Sequence, residues 1–65
     1  MFVLAIQGRS TITKHYYEEE LSDALDLLVS EHQTDGLINA SLIDIENREH
    51  YFYDVDIQLT RTVRF

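Results

Sequence analysis

The side chains that could do chemistry in this sequence are twelve carboxylates, three histidines and four serines, and there is no cysteine. The histidines are His15, His32 and His50, and no two of them stand one helical turn apart, the spacing that presents two imidazoles to one metal ion. Paired carboxylates can act as general acid and base, but a chain this rich in them forms close pairs by chance. The residue types and spacings therefore predict no metal site and identify no catalytic pair.

Other short motifs point the same way. The serines lack a nucleophile-elbow context, and there is no glycine-rich phosphate loop. Residues 44–48 resemble a calcium loop but lack its central glycine and carry Arg48 where a ligand belongs. Residues 39–41 match the glycosylation pattern without an export signal. A domain of this size also has little room for a substrate pocket, so we expect no enzymatic activity and no cofactor.

Charge is distributed unevenly along the chain. Residues 18–56 hold all twelve acidic residues and only Arg48, a local net charge of −11, whereas the whole chain carries −7. The four remaining basic residues lie near the ends: Arg9, Lys14, Arg61 and Arg64. Because phosphate affinity comes largely from Lys and Arg, direct binding to nucleic acid is not expected. A field of this sign instead favours encounter with a basic protein surface.

The strongest local pattern is helical and covers residues 18–33. Leu21, Ala24, Leu25, Leu28 and His32 form one stripe, with acidic residues opposite. The glutamates at 18–20 suit a helix N-terminus, although Ser22 could cap a shorter helix. Gly36 can adopt the left-handed conformation that closes a helix.

The acidic side of this helix has two interpretations. Glu19, Asp23 and Asp26 form a row whose neighbours are about 5–6 Å apart, a scale at which carboxylates can imitate phosphates. An acidic outer face is also normal for a solvated helix and favours solubility. Acidic residues mixed with Phe52 and tyrosines in the following hairpin favour a protein interface over solubility alone.

The rest of the chain has the residue pattern of β-strands. Residues 2–7 are apolar and end at Gly8, which predicts a buried strand. Residues 11–17 are β-branched and aromatic, which favours a second strand paired with the first, or an extension of the first through a bulge at Gly8.

A hairpin follows the helix. Residues 37–45 alternate as a strand, residues 46–49 form the turn with Asn47 as the residue best suited to positive φ, and residues 51–59 alternate cleanly as the partner strand. Residues 60–65 continue that strand or form a short fifth one.

These elements predict a single α+β domain over residues 1–65: a small antiparallel sheet of about four strands, in ββαββ order, with one helix packed on one face. The other face has no helix to cover it. Phe52, with whichever of Met1, Val3 and Ile43 share its side, is then exposed in a monomer, which favours a partner or a second copy.

Composition limits the cellular context. The apolar start spans only six residues and lacks a basic stretch before it, so neither a signal peptide nor a membrane span is expected. Absence of cysteine and of an export signal fits a cytoplasmic protein. With a methionine at its start and no tag, the chain is expected to be a complete small gene product.

The layout resembles small phage-encoded inhibitors of host defence, including several anti-CRISPR proteins, which are often acidic α+β chains of similar length. The resemblance rests on size, acidity and the order of two strands, the helix that contains residues 21–28, and the hairpin over residues 42–53. It includes no diagnostic motif, so no functional residue is carried over. It implies blocking of a host nucleoprotein or enzyme by occupation of its surface.

The sequence thus predicts a protein-binding inhibitor or regulator whose acidic face engages a basic, nucleic-acid-binding surface of a larger host protein. The expected partner-binding residues are Glu19, Asp23, Asp26, Phe52, Asp54 and Asp56. Two alternatives stay open. One is a homodimeric structural or adaptor protein that uses the uncovered sheet face. The other is a basic patch of Arg9, Lys14, Arg61 and Arg64 that contacts nucleic acid if the terminal strands are neighbours.

Overall fold

A computed structural model describes residues 1–9 and 13–65. Its elements are β1 (Phe2–Gly8), β2 (Lys14–Glu18), α1 (Leu21–Asp35), β3 (Leu37–Asp44), β4 (Glu49–Tyr53) and β5 (Leu59–Arg64). The strands form one sheet in the order β2-β1-β3-β4-β5, and every neighbouring pair is antiparallel. The predicted α+β class is confirmed, whereas the sheet in the described residues has five strands instead of four.

The core lies between α1 and one face of the sheet. Strand alternation directs Leu4 and Ile6 of β1 and Leu42 of β3 toward Ala24 and Leu28 of the helix. The fully buried apolar residues are Leu4, Ile6, Ala24, Leu28, Leu37, Ala40 and Leu42. Among the described residues, the backbone of α1 lies close to β1, β2 and β3 but not to β4 or β5. Within residues 1–9 and 13–65, the opposite face of the sheet has no helix on it, as the sequence predicted.

The helix begins at Leu21, between the two predicted starts. Glu18 cannot belong to it because Glu18 pairs with Phe2 as the last residue of β2. Glu20 is the extended N-cap residue and makes no side-chain cap hydrogen bond, so Ser22 is not the cap. At the other end, the Gly36 amide donates to the His32 carbonyl at 3.0 Å. Gly36 has φ 76° and ψ 149°, a region nearly restricted to glycine, although its ψ is not that of a left-handed helix.

Residues 14–18 form a separate strand, which settles the alternative of one long strand bulged at Gly8. β1 ends at Gly8, and β2 returns antiparallel beside it, with Leu4 opposite Tyr16. The predicted strand over residues 11–17 begins outside the described residues, which resume at Thr13. A register shift does occur at Gln7 and Gly8, but it lies in the pairing of β1 with β3.

The prediction of one continuous strand over residues 51–59 is wrong. β4 ends at Tyr53, and Asp54 begins a turn: its Oδ1 accepts hydrogen bonds from the Asp56 and Gln58 amides at 2.9 and 3.0 Å. Such aspartate-to-backbone bonds compete with the strand ladder. Ile57 takes φ 58° within this turn. The chain then reverses, and Leu59–Arg64 forms β5 beside β4.

The turn between β3 and β4 also differs from the prediction in one residue. Arg48, and not Asn47, has the positive φ, at 56°. Asn47 is held instead by Asp44, whose carboxylate accepts from the Asn47 amide at 3.2 Å and from Asn47 Nδ2 at 2.7 Å. This pair of bonds fixes the conformation of Asn47, so the positive φ of the turn falls on the next residue, Arg48.

Candidate functional site

The six predicted partner-binding residues lie in three places. Glu19 precedes α1, and Asp23 and Asp26 lie on it, all exposed to solvent on the helix side of the sheet. Phe52 lies on the opposite face of the sheet, in register with Ser41. Asp54 and Asp56 lie in the turn between β4 and β5. The fold therefore does not assemble these residues into one surface, and only the helix group forms a continuous acidic feature.

Register extends the acidity of the helix group to one end of the sheet. Glu18 and Asp44 both pair with Phe2, and Asp44 pairs in turn with Glu49, so three carboxylates line up across neighbouring strands. This row lies on the helix side, next to the residues that lead into α1. The members of this row are buried or half-buried, and the exposed carboxylates beside it are Glu46 of the β3–β4 turn and those at the start of α1. We call these exposed residues the acidic surface: Glu19, Glu20, Asp23, Asp26 and Glu46.

Part of the negative charge at this end is already compensated. The N-terminal ammonium lies 3.5 Å from Glu46 Oε1, and Arg64 Nε lies 3.7 Å from Glu49 Oε2. Asp44 is buried, and its hydrogen bonds from Asn47 hold the pKa of its carboxyl below the usual value. Asp44 is therefore a turn-forming residue, whereas Glu20, Asp23 and Asp26 are exposed.

A second carboxylate has an internal role. Glu31 of α1 accepts a hydrogen bond from the Tyr16 hydroxyl at 2.6 Å and another from Lys14 Nζ at 3.3 Å. The Tyr16 bond, followed by the Lys14 charge, lowers the pKa of Glu31, while the same bond raises the pKa of Tyr16. This cluster ties edge strand β2 to the helix and takes Lys14 out of any basic patch.

The side chain of Asp54 also has an internal role, because it accepts hydrogen bonds from nearby backbone amides. Its carboxylate holds the β4–β5 turn through the Asp56 and Gln58 amides, and its amide donates to the Gln58 carbonyl at 3.1 Å. The neighbouring Asp56 is exposed. The structure thus separates a turn-forming aspartate from one that is free to face a partner.

The face of the sheet without a helix has a different composition, and we call it the open face. Its described residues are Val3, Ala5, Gln7, His15, Tyr17, Asn39, Ser41, Ile43, His50, Phe52, Arg61 and Val63. None of these described residues is an aspartate, a glutamate or a lysine. In a chain with twelve acidic residues, the carboxylates are thus confined to the helix side, the ends and the turns.

Rings and a guanidinium lie together on the open face. His50 and Phe52 stack with centroids 4.2 Å apart, and the Arg61 guanidinium lies 4.2 Å from the Phe52 centroid. A concavity of about 630 Å³ adjoins this stack, with Asn39 and Ser41 among its lining residues. The contact with His50 and Arg61 leaves Phe52 half-buried, where the sequence predicted an exposed ring.

A smaller apolar groove lies on the helix side, where α1 does not reach the last two strands. It has a volume of about 230 Å³, and Leu25 of the helix faces Tyr51 and Tyr53 of β4 across it. Leu21 and Leu59 line it and are 44% and 53% exposed. Burial raises the pKa of both tyrosines. The sequence could not reveal this groove. The groove exists because the sheet, widened by a fifth strand, extends beyond the part that the helix covers.

The histidines and the basic residues stay dispersed. Across residues 1–9 and 13–65 no three histidine, aspartate or glutamate side chains gather as they would around a metal ion. Arg61 and Arg64 lie on β5, at the edge of the sheet opposite β2 and Lys14. The sequence predicted a joint basic patch only if the terminal strands were neighbours. Because β3 and β4 separate β1 from β5, the basic residues of the two ends do not form one patch.

The described part of the chain contains no helix long and apolar enough to cross a membrane. Comparison with models of protein families, with curated proteins and with solved structures gave no match to this chain. Its function is therefore argued from its own surfaces.

Proposed function

We propose that this protein is a non-enzymatic inhibitor or regulator that binds a basic, nucleic-acid-binding surface of a larger protein through its acidic surface. The observation that carries the proposal is the segregation of charge. The exposed carboxylates of α1 and of the adjoining sheet end share one side of the molecule, and the open face has none among its described residues.

The spacing of the acidic surface supports imitation of a phosphate backbone. Asp23 and Asp26 are three residues apart on one helix, so their side chains are about 5–6 Å apart. Glu19 and Glu20 extend the charge beyond the helix N-terminus. A basic groove that binds nucleic acid presents Lys and Arg at a comparable scale, and an acidic surface of this kind raises the rate of encounter with it.

The cellular setting follows from the resemblance to small phage-encoded inhibitors of host defence. In that setting the protein acts in the cytoplasm of a host cell and blocks a host nucleoprotein by occupying its surface. Neither a catalytic step nor a cofactor is part of the proposal.

The test is capture of a partner from host lysate, followed by affinity measurement with the purified partner. Asp23→Asn with Asp26→Asn removes two charges from the acidic surface. We expect this double variant to bind about tenfold more weakly and to lose most of its salt dependence, because rim charges act through encounter and are screened by salt. Competition by an oligonucleotide would show that the occupied surface is the nucleic-acid site.

The matched control keeps the same change in net charge but moves it away from the helix. Val55→Lys with Gln58→Lys adds two positive charges on exposed residues of the turn between β4 and β5, at the end of β4 away from Glu49. This control should bind as the wild type does. Equal weakening in both double variants would mean that only net charge matters, and unchanged binding in the helix variant would refute the proposal.

A further inference from the structure

The open face carries a second inference, independent of the acidic surface. Val3, Ala5, Ser41 and Ile43 lie on the two central strands β1 and β3, yet they are only half-buried, because no helix or strand of the described residues packs on that side. Central strands of a stable sheet normally bury both faces or turn a polar face to water. We propose that this open face is a homodimer interface, on which a second copy of the chain packs sheet against sheet.

The composition of the face selects a protein over a nucleic acid as its occupant. Interface cores are enriched in aromatic residues and arginine and depleted in lysine, glutamate and aspartate. The described residues of the open face follow this pattern, with Tyr17, Phe52 and Arg61 present and those three types absent. Only one arginine lies on it, whereas affinity for nucleic acid requires several positive charges, more so on a chain of net charge −7.

Charge placement allows a second copy on this face despite the net charge of the chain. A net charge of −7 opposes self-association. Face-to-face packing is the arrangement that keeps this repulsion smallest, because it turns both acidic helices outward and brings together two faces whose described residues hold no carboxylate. Sheets in such a sandwich lie about 10 Å apart. Because the open faces pack together, each helix lies on the outer side of its own sheet.

The available area suffices for a weak but specific dimer. The two longer dimensions of the molecule are 31 and 22 Å, which limits the face to about 600 Å² per copy and the interface to about 1,200 Å² in total. That is the lower end of the range for specific interfaces. The concavity beside Phe52, which Arg61 lines together with Asp54 of the turn, offers space for a side chain of the partner copy. We therefore expect a dissociation constant on the order of 1–100 μM.

The experiment uses the full chain alone, by light scattering and sedimentation across a range of concentrations. The wild type should change from monomer to dimer with rising concentration, and its unfolding temperature should rise in parallel, as mass action requires. Ser41→Glu places a carboxylate at the centre of the face, opposite its own copy. It should weaken dimerisation by about 100-fold or more, and folding is verified by circular dichroism.

Two further variants keep the test decisive. Ser30→Glu makes the same substitution on the exposed side of α1 and should leave the dimer intact. Val63→Glu replaces a residue that is 41% exposed on edge strand β5. It should also yield folded monomers, and it provides the test if Ser41→Glu does not fold. Edge-to-edge pairing of strands would be insensitive to Ser41→Glu, because β3 is a central strand.

Several results would overturn the inference. They are a wild type that stays monomeric at millimolar concentration, a dimer that persists in Ser41→Glu, or a dimer that Ser30→Glu disrupts. Binding of single-stranded oligonucleotides to a monomeric wild type, lost in Ser41→Glu, would assign the face to nucleic acid instead. None of these measurements involves the acidic surface or a host partner, so the two proposals fail separately.

Discussion

At the scale of single residues, the clearest device is the carboxylate of Glu31. It joins β2 to α1 by accepting from Tyr16 and Lys14, and only 18% of its side chain is exposed. Edge strands are held by one neighbour only, so a side-chain bond to the helix gives β2 a second attachment. The lowered pKa of Glu31 shows that the folded protein favours the charged form.

This linkage gives a prediction with a defined dependence on pH. Glu31→Gln keeps the shape but loses the charge, and it should lower the free energy of unfolding at pH 7 by about 1 kcal/mol. Because the folded pKa of Glu31 lies below its unfolded value of about 4.3, the stabilisation is present above that value and is lost as pH falls through the folded pKa. Urea unfolding at pH 7 and at pH 3 measures both effects.

The control for this prediction is Glu19→Gln, which neutralises an exposed carboxylate. It should leave stability at pH 7 unchanged or slightly raised, since it relieves repulsion in a chain of net charge −7. An equal deficit of Glu31→Gln at both pH values would show that its carboxylate charge contributes nothing.

At the scale of elements, the turns show how two aspartates determine where strands end. Asp44 and Asp54 each accept hydrogen bonds from amides that follow them. In the first turn this fixes Asn47 and transfers the positive φ to Arg48. The consequence is a residue held in a conformation that costs an L-amino acid about 1 kcal/mol.

Relief of this strain is measurable. Arg48→Gly should raise the free energy of unfolding by about 0.5 kcal/mol, because glycine adopts positive φ freely and part of the gain is offset by its greater freedom in the unfolded chain. Arg48→Ala removes the same side chain, and its contact 5.7 Å from the Phe65 ring, without relieving the strain. Thermal unfolding should rank glycine above both arginine and alanine, and a gain in the alanine variant would attribute the effect to the lost side chain.

The same elements show what the sequence could and could not predict. The helix, β1 and the β3–β4 pairing follow from period, since burial of one face enforces regular spacing at positions such as Ala24, Leu28 and Leu42. The alternation through residues 51–59 indicated one strand, because Val55 and Ile57 continue it formally. Asp54 ends the strand instead, through hydrogen bonds to the backbone that a pattern of apolar residues cannot show. Alternation placed Phe52 on the face without the helix, away from Asp23, and the register confirms this. The departure of Asp54 and Asp56 from that strand into a turn could not be predicted from the same pattern.

At the scale of the whole molecule, stability rests on few side chains. Among the described residues, seven apolar side chains form the fully buried core, and a domain of this size seldom has more than about 3–5 kcal/mol of net stability. A single cavity therefore removes a large share of that total. The thin core also agrees with the proposal that a second copy covers the open face.

Leu28→Ala tests this dependence directly. Leu28 is 0% exposed, so its truncation should cost about 3 kcal/mol and leave a substantial unfolded population at 25 °C by circular dichroism. Val29→Ala, next along the helix and 43% exposed, should change stability by less than about 0.5 kcal/mol. Similar unfolding midpoints for the two variants would contradict a core centred on Leu28.

The strand order has a consequence for synthesis of the chain. The seven fully buried core residues of the described chain lie between Leu4 and Leu42, within β1, α1 and β3. A ribosome therefore adds all seven to the chain before it begins β4, and in the folded protein β4 and β5 extend the sheet from the edge of β3. We expect the C-terminal hairpin to be the part that tolerates exchange of sequence between related genes, provided that apolar or aromatic side chains are kept at Tyr51 and Tyr53, which pack against the core.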